Sequence, residues 1–556
     1  MKSSYTVEQN AQMLIGLMKA HNIRKVIISP GTTNMSLVGS IQHDPFFELY
    51  SSVDERSAAY MACGLAAESG EPVVLSCTGA TASRNYMSGM TEAYYRKLPV
   101  LAVTSSRHSG TIGQGLDQVT DRRRPPEDVQ KISVQIPMIH TSDDEWSVNV
   151  KLNTALLELR RNGGGPVHIN LETAFTTDFS VSSLPDTRVI HRACADDPFP
   201  PLEPGRVGIF AGAHRPFSPT LTEAVDAFCE AYGAVVFCDH CSGYKGKYRV
   251  FPTLVTTQRA EQPARQVDTL IHIGEVAVGK LWLKPAVVWR VNPDGEVRDP
   301  FRNKLRWVFQ MEEERFFRTY AKLAPQNKKS SENIQLQKWE ELRIQAEKVI
   351  PDLPFSNIWI AQHTAGLLPE GSVLHLGILN SARSWNHFEV PRTVDTYVNT
   401  GGYGIDGCVS ALLGASLTDR GRLHFGVVGD LAFFYDMNAL GNRHIGPNLR
   451  LMMVNNGCGA EFQLYNHPYV KSGLVDEVGP YMAAAGHFGS QSLKLVRHYA
   501  EDLGFEYFSA ASKEEYLNHR ERFLTPMVTD RPMLFEIFTR PVDESTALEK
   551  IRNLIF

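Results

Sequence analysis

The chain lacks the features that mark a membrane or secreted protein. None of its apolar runs approaches the roughly 20 residues that a spanning helix needs. The N-terminal stretch MKSSYTVEQNAQML is polar and begins a helical pattern, which is unlike a secretory signal. The sequence therefore predicts a cytoplasmic protein without a membrane partner.

Strong charge of either sign is also missing. Lys and Arg number 56 against 61 Asp and Glu, a formal net charge of -5. This balance gives no reason to expect a nucleic acid or an anionic membrane as partner. The densest positive tract, residues 121–126 (DRRRPP), is too short and too poor in aromatics for nucleic-acid binding. It is either a solvated loop or an active-site loop that meets an anionic substrate.

Cysteine is sparse and scattered. The eight cysteines lie in apolar runs or turns, as expected of reduced thiols, although their even number leaves a disulfide open. Cys238 and Cys241 have the spacing of a zinc knuckle, but no second such pair follows. Because a structural zinc site normally needs about four ligands, we interpret the pair as structural cysteines.

Short apolar runs alternate with helical patterns along the chain. A length of 556 residues exceeds one core, so roughly two to four domains are expected. The alternation predicts an α/β fold with three doubly wound parallel-sheet domains. Helices are predicted over 6–21, 82–95 and 356–368, with breaks at the proline-rich 178–205 and the polar 324–340. The predicted domains are 1–180, 200–325 and 350–556.

Two apolar runs of the last domain end in residues that suit a metal. The run 423–428 is followed by Gly429 and Asp430, and the run 449–454 leads to Asn456. Because parallel strands end at the same edge of a sheet, where ligands of open α/β sheets bind, these side chains are expected to lie together. Carboxylate and amide oxygens suit Mg²⁺, which commonly binds phosphate as well. The pattern predicts a magnesium and diphosphate site.

Two loops of this domain extend the prediction. Residues 400–407 (TGGYGIDG) form a glycine-rich loop before an Ala/Leu helix, where backbone N–H groups can approach a phosphate. Residues 457–480 are long and irregular. A long irregular segment in a compact domain is usually functional, so we interpret this one as a lid.

The first domain offers a carboxylate and a polar loop at strand ends. Glu55 follows an extended run and either caps the next helix, favoured by the helix dipole, or serves a ligand. Thr78 and Gly79 follow the strand-like run 73–77. They either hold the polar edge of a ligand or simply turn the chain.

Taken together, these segments resemble the thiamin diphosphate-dependent enzymes of decarboxylase and carboligase type. Gly429-Asp430 followed by Asn455-Asn456 is similar to that superfamily's diphosphate signature, and residues 53–59 (VDERSAA) are similar to the stretch with its activating glutamate. Within the superfamily the chain most resembles the SEPHCHC synthases of menaquinone biosynthesis. The resemblance covers nearly the whole chain, in the order pyrimidine, central and diphosphate domain. The shared segments are 29–31, 54–59, 78–79, 404–407, 429–431, 436–438 and 454–456.

The resemblance implies a role for particular residues. Glu55 would be catalytic, by hydrogen bonding to the aminopyrimidine ring of the cofactor. Asp430, Asn456 and the backbone carbonyl of Cys458 would hold Mg²⁺, and Ile405 would support the bent cofactor. A homodimer or homotetramer is implied as well, because domains of different subunits meet in this family. The cofactor-binding residues implied are Thr78, Gly79, Gly402, Tyr403, Gly404, Ile405, Gly429, Asp430, Leu431, Ala432, Asn456, Cys458, Gly459 and Ala460.

The activity that the resemblance implies is decarboxylation of a 2-oxo acid, with transfer of the resulting acyl carbanion to an acceptor. A simple 2-oxo acid decarboxylase and a non-catalytic thiamin diphosphate-binding subunit are the alternatives. The presence of Glu55 argues against the non-catalytic subunit.

Two departures from the SEPHCHC synthases concern the substrate. Those enzymes have an arginine after Ser-Pro-Gly where this chain has Thr33, and another before the glycine-rich loop where it has Thr400. These arginines bind substrate carboxylates, and threonine does not replace a charge-assisted bidentate contact. The departures argue against the menaquinone reaction itself and leave donor and acceptor open. Candidate substrate residues, each also explicable by loop packing, are Thr33, Arg107, Gln118, Asn380, Ser381 and Arg383.

Overall fold

The computed structural model describes residues 4–279, 281–324, 333–474 and 479–556. It contains three sheets of parallel strands with helices between them along the chain. The predicted α/β fold with three parallel sheets is confirmed. The chain divides into two compact units, one of residues up to 199 with 292–311, the other of 200–291 with 312–556. The three-domain boundaries stay a prediction.

The first sheet has six strands in the order β2-β1-β3-β4-β6-β5. Successive side chains of a strand face opposite sides. Val74 and Leu101 accordingly pack into one core, and Leu75 and Ala102 into another. Helices therefore cover both faces, as the apolar runs predict. The strands are β1 (Lys25–Ile28), β2 (Glu48–Ser51), β3 (Val73–Thr78), β4 (Val100–Ser106), β5 (Ser133–Ile136) and β6 (Val167–Glu172).

Local capping fixes where the helices of this unit begin. Asp54 caps α3, and Thr141 forms a capping box with Asp144 at the start of α6. Gly70 ends α3 with a φ of 67°, which glycine adopts without strain. The helices are α1 (Gln9–Ala20), α2 (Met35–Ile41), α3 (Glu55–Ser69), α4 (Thr81–Asn85), α5 (Met87–Tyr95) and α6 (Ser142–Glu158).

The middle of the chain supplies the next parallel strands. In the second unit the strand order is β10-β9-β8-β11-β12, and in the first unit β13 pairs with β7. The strands are β7 (His191–Cys194), β8 (Val207–Ala211), β9 (Val235–Phe237), β10 (Arg249–Val250), β11 (Gln266–Ile273), β12 (Lys284–Asn292) and β13 (Leu305–Gln310). The helices are α7 (Pro219–Tyr232), α8 (Thr253–Thr256), α9 (Glu313–Leu323) and α10 (Ile334–Lys348).

The last sheet repeats the topology of the first. Its order is β15-β14-β16-β17-β19-β18, which is the same relative order. The strands are β14 (Val373–Leu376), β15 (Asp395–Val398), β16 (His424–Gly429), β17 (Leu449–Asn455), β18 (Glu506–Ala510) and β19 (Met533–Phe538). The helices are α11 (Asn357–Gln362), α12 (Asn380–Trp385), α13 (Cys408–Ser416), α14 (Asp430–Asp436), α15 (Pro468–Ser472), α16 (Leu495–Asp502), α17 (Lys513–Phe523) and α18 (Pro541–Ile551).

Several predicted element bounds were wrong. The first helix begins at Gln9 rather than near Thr6, and the helix predicted over 82–95 is divided at Tyr86. The helix predicted over 356–368 ends at Gln362. The polar stretch 324–340 includes the start of α10, which Asn333 caps, while 325–332 lie outside the described residues.

The segment 457–480 is less irregular than predicted. It contains a 3₁₀ turn over Ala460–Gln463 and the short helix α15. Residues 475–478 lie outside the described part, and the predicted lid role stays a prediction. All eight cysteines are free thiols. No helix within the described ranges is long and apolar enough to cross a membrane.

Candidate active site

Asp430 is a buried carboxylate at the end of β16. Gly429 pairs with Val454 of β17, so the two strand ends lie side by side. The Asp430 side chain is 4% exposed. Its Oδ1 accepts a hydrogen bond from the N–H of Leu431, and its Oδ2 accepts one from the N–H of Gly457, both 2.7 Å long. The carboxylate is thus fixed beside the turn that follows β17.

The electrostatics around Asp430 favour a cation. Burial raises the pKa of Asp430 to about 6, while backbone N–H groups of Leu431, Asn456 and Gly457 lower it. These neighbours provide dipoles but no positive charge. A buried carboxylate without a cationic partner is costly, so a divalent cation would complete its surroundings.

Asn456 and Cys458 follow β17 in the turn whose backbone N–H groups face the Asp430 carboxylate. The Asn456 Oδ1 has the thiol of Cys458 at 4.0 Å, and the Cys458 carbonyl accepts from the Ala460 N–H at 3.0 Å. Among the described residues no group of three His, Cys, Asp or Glu side chains could hold a metal. The Asp430 carboxylate, with the Asn456 amide oxygen and the Cys458 carbonyl, would make a donor set that fits Mg²⁺, which usually keeps water and phosphate ligands.

The glycine-rich loop leads into α13. Tyr403 has a φ of 54°, and its hydroxyl donates to the carbonyl oxygens of Val278 at 2.5 Å and Ala277 at 3.1 Å. Asp436 accepts 2.6 Å hydrogen bonds from the backbone N–H and hydroxyl of Ser410, which fixes the first turn of α13. The loop is therefore held at both sides. Gly402 and Gly404 lie in it, and Ile405 packs partly buried against the adjacent core.

Glu55 is the first residue of α3, but it does not cap the helix. The Asp54 carboxylate performs the capping, by accepting from the N–H groups of Arg56 at 2.8 Å and Ser57 at 3.3 Å. Glu55 is half-buried, and its Oε2 accepts one long hydrogen bond of 3.4 Å from the Asn85 amide. Its carboxylate is therefore available to a ligand.

Hydrogen bonds link Thr33 to Thr78 and Gly79 at the end of β3, on the same edge of the first sheet as Glu55. The hydroxyl of Thr33 bonds to that of Thr78 and donates to the Ser105 carbonyl at 2.9 Å. It also accepts from the Gly79 N–H at 3.4 Å. Thr33 is 7% exposed, so it lies within the fold, with no charge of its own.

Arg107 and Gln118 line one small cavity of about 10 Å³ in the first unit. The Arg107 guanidinium forms a bidentate ion pair with the exposed Asp117, at 3.2 and 3.3 Å. Gln118 has a φ of 54° and is exposed. Both residues are therefore near solvent in a loop.

A much larger cavity, of about 630 Å³, lies within the second unit. Asn380 and Arg383 line it, and Arg383 forms an ion pair with Glu461 of the turn after β17. Ser381 is 2% exposed and does not line the cavity. Besides Arg383, the ionisable residues that line the cavity are Arg265, Lys284, His387, Glu461, Glu544 and Arg552.

Two glutamates near these sites were not predicted from the sequence, and Arg122 was named only as part of the tract 121–126. Glu461 and Glu544 line the large cavity, and Arg122 lies buried against Gly79. Nothing in the sequence distinguishes Glu461 or Glu544 from surface glutamates. Arg122 belongs to the basic tract 121–126, but adjacent arginines give no sign of which one faces inward.

Comparisons with known proteins agree on the class. Residues 9–123 match the family model "Thiamine pyrophosphate enzyme, N-terminal TPP binding domain". The chain is 30% identical to the 2-succinyl-5-enolpyruvyl-6-hydroxy-3-cyclohexene-1-carboxylate synthase (SEPHCHC synthase) of Bacteroides fragilis over 564 residues, covering 98% of each chain. It is also 30% identical to that of Phocaeicola vulgatus over 573 residues, with 98% of both chains covered.

One solved structure is also similar, at low identity. It is the thiamine diphosphate-dependent 4-hydroxybenzoylformate decarboxylase of Rhodococcus jostii RHA1, 16% identical with a TM-score of 0.40. The match covers 96% of this chain and 99% of that one.

The chain is a thiamin diphosphate-dependent enzyme of α/β fold. More narrowly, it belongs to the family of the SEPHCHC synthases, as the whole-length relatives show. The resemblance inferred from the sequence is thereby confirmed.

Proposed function

We propose that this enzyme decarboxylates a 2-oxo acid and transfers the remaining acyl unit to an acceptor, with thiamin diphosphate and Mg²⁺ bound. One observation carries the proposal: carboxylates at two strand ends are left for a ligand. Asp430 is buried with N–H partners only, and Glu55 is spared from capping by Asp54. Membership of the family supports the cofactor.

Bound thiamin diphosphate would supply a thiazolium ring that acts as an electron sink when the 2-oxo acid loses carbon dioxide. Glu55 would hold a proton in a hydrogen bond to the ring nitrogen of the aminopyrimidine. Because Glu55 is half-buried, this hydrogen bond would be partly shielded from water and so stronger than at the surface. Thr78 and Gly79 would contact the same end of the cofactor.

The second unit would hold the diphosphate end. Asp430, Asn456 and the Cys458 carbonyl would bind Mg²⁺, and Ile405 would support the rings. The remaining residues that we propose for the cofactor are Gly402, Tyr403, Gly404, Gly429, Leu431, Ala432, Gly459 and Ala460.

The substrates are proposed only by class. Asn380 and Arg383 line the large cavity and are suited to a polar or anionic group. Thr33 and Thr400 carry no charge, so at these two positions the substrate would not meet the arginines that the resemblance implies. A homodimer or homotetramer in the cytoplasm belongs to the same proposal.

The test measures carbon dioxide release from a panel of 2-oxo acids, with and without aldehyde or ketone acceptors, in the presence of thiamin diphosphate and Mg²⁺. Release that rises with an acceptor, together with a coupled product, supports acyl transfer. Release at the same rate without any coupled product points to the simple decarboxylase. No release from any donor, despite bound cofactor, contradicts the proposal and supports the non-catalytic subunit.

A further inference from the structure

The basic tract 121–126 is divided between solvent and interior. Arg123 is exposed and pairs with Asp121, with its Nη2 2.8 Å from Oδ2. Arg122, its neighbour, is 5% exposed. The two arginines therefore have opposite environments, which makes Arg123 a matched control for Arg122.

The buried Arg122 guanidinium has fewer partners than its charge requires. Its Nη2 donates to Asn170 Oδ1 at 2.7 Å, whereas its Nε is buried without a hydrogen-bond partner. Within the described ranges it forms no ion pair with a carboxylate. A guanidinium stays protonated even where burial lowers its pKa. Because an unpaired buried charge is costly, this site lacks an anion.

Arg122 lies at the sheet edge that also carries Glu55. A Cβ added to Gly79 would stand 2.0 Å from Arg122 Nη1, so the guanidinium rests on the residue that follows β3. Burial raises the pKa of the Cys77 thiol to about 12, with Glu55 raising it further and Arg122 lowering it. Both charged groups are therefore near the end of β3.

The surroundings of Arg122 are cationic. It lines two small cavities of about 40 and 10 Å³, the first with Arg84 and His168, the second with Arg107 and Gln118. Burial and the two neighbouring arginines lower the pKa of His168 to about 3, so the imidazole is neutral. The positive charge facing the first cavity comes from Arg84 and Arg122.

We propose that Arg122 binds a substrate carboxylate that survives the reaction. This inference rests on the proposed function. The carboxylate of the reacting 2-oxo acid group leaves as carbon dioxide and loses its charge as the C–C bond breaks. A cation holding it would stabilise the substrate more than the transition state. Arg122 therefore suits a second carboxylate, on the donor or on the acceptor, and supplies the charge that Thr33 does not.

The first test measures binding without turnover. Glutarate, and its uncharged diamide as a matched ligand of the same length, are titrated calorimetrically into the full-length protein with thiamin diphosphate and Mg²⁺. For Arg122→Gln we expect glutarate to bind about 10- to 100-fold more weakly, with binding of the diamide unchanged. Arg123→Gln should bind both as the wild type does. Arg122→Lys keeps the charge but not the planar guanidinium, so its affinity for glutarate should lie between those of the wild type and Arg122→Gln.

Three outcomes of the titration overturn the inference. They are no glutarate binding by the wild type, equal glutarate binding in Arg122→Gln, and an equal loss of both ligands in that variant. If Arg122→Gln does not fold, Arg122→Lys decides, because unchanged glutarate affinity in it contradicts a bidentate contact. The titration reads binding alone, so it stays interpretable if the proposed decarboxylation fails, and can be repeated without cofactor.

The second test locates the carboxylate. Carbon dioxide release is compared for 2-oxoglutarate and 2-oxopentanoate, donors of equal chain length, and for acceptors with and without a carboxylate. A raised KM in Arg122→Gln for 2-oxoglutarate alone assigns the contact to the donor. A raised KM for the carboxylated acceptor alone assigns it to the acceptor. Equal changes across all substrates contradict the inference.

Discussion

The side chain of Asp430 accepts a 2.7 Å hydrogen bond from the N–H of Gly457, which ties the end of β16 to the turn after β17. The other carboxylate oxygen accepts from Leu431. Each oxygen keeps a further lone pair, so the two bonds orient the carboxylate without exhausting it. Asp430, the proposed Mg²⁺ ligand, would therefore already be oriented before the metal binds.

Asp430→Asn removes the charge of the proposed metal site while preserving its shape. We expect the affinity for thiamin diphosphate in the presence of Mg²⁺ to fall by about 100-fold, because loss of a ligand costs at least as much as loss of its supporting hydrogen bonds. Quenching of tryptophan fluorescence by the cofactor measures it. Cys458→Ala is the control, since it keeps the backbone carbonyl. Equal affinities in Asp430→Asn and the wild type would rule out this site.

Gly79→Ala tests how closely Arg122 approaches the backbone. The new Cβ would stand 2.0 Å from Nη1 and displace the guanidinium from Asn170. Loss of a charged hydrogen bond should lower the free energy of unfolding by about 2 kcal/mol. Gly64 lies in the middle of α3 on its exposed side, and a Cβ there would have nothing within 4 Å. Gly64→Ala should therefore raise the free energy of unfolding by about 0.5–1 kcal/mol. Thermal unfolding distinguishes them, and the same sign for both variants would be inconsistent with this packing.

Glu544 provides a pH-dependent prediction. It accepts from the Thr539 hydroxyl at 2.7 Å and from the Asn357 N–H at 3.0 Å, and burial raises its pKa to about 7 from an ordinary 4.5. Since the folded state binds the proton more tightly, its contribution to stability is present below pH 4.5 and is lost as the pH rises through about 7.

Glu544→Gln should therefore gain stability relative to the wild type between pH 5 and pH 8, by about 3 kcal/mol at most. Thermal unfolding of both proteins without cofactor measures the difference. Glu549→Gln, exposed on the same helix, is the control, because removing its charge relieves no burial cost. A difference between Glu544→Gln and the wild type that does not change with pH would contradict the prediction.

Strands that are buried on both faces could be predicted from the sequence. The apolar runs predicted over 73–77, 423–428 and 449–454 match β3, β16 and β17 to within one residue at each end. The strands β18 and β19 of the last sheet were not predicted. The strand β5 was missed because its polar residues alternate with buried ones and its four residues form a sheet edge. The start of α10 was taken for a linker because only Trp339 and Ala346 of this helix are buried.

Only part of the candidate site could be predicted from the sequence. Gly429 and Asp430 end one predicted strand, and Asn456 follows the next. Because the carboxyl ends of parallel strands lie at the same edge of a sheet, these residues could be predicted to lie together. Which of two adjacent carboxylates, Asp54 or Glu55, caps α3 depends on side-chain direction, which residue type does not determine. The inward direction of Arg122 was likewise not predictable, because its tract belongs to no periodic element.

Glu55→Gln tests the catalytic role proposed for Glu55, with Asp54→Ala as the control at the neighbouring carboxylate. Glutamine fills the same space but does not hold the proton as a carboxyl group does, so turnover should fall by about 100-fold or more while cofactor binding persists. Asp54→Ala removes the cap, which should cost about 1 kcal/mol of stability and leave turnover nearly unchanged. If Asp54→Ala lost turnover and Glu55→Gln did not, Asp54 rather than Glu55 would be the catalytic carboxylate, which contradicts the proposal.

The role proposed for Glu55 can be tested most directly by a measurement that does not require the substrate to be known. It is the rate at which the reactive thiazolium C–H of bound thiamin diphosphate exchanges with deuterium, followed by quenched-flow NMR in the wild type and Glu55→Gln. We expect fast exchange in the wild type and exchange about 100-fold slower in the variant, because the proposed hydrogen bond from Glu55 to the aminopyrimidine would be lost. Equal exchange rates in the two proteins would contradict the central role of Glu55.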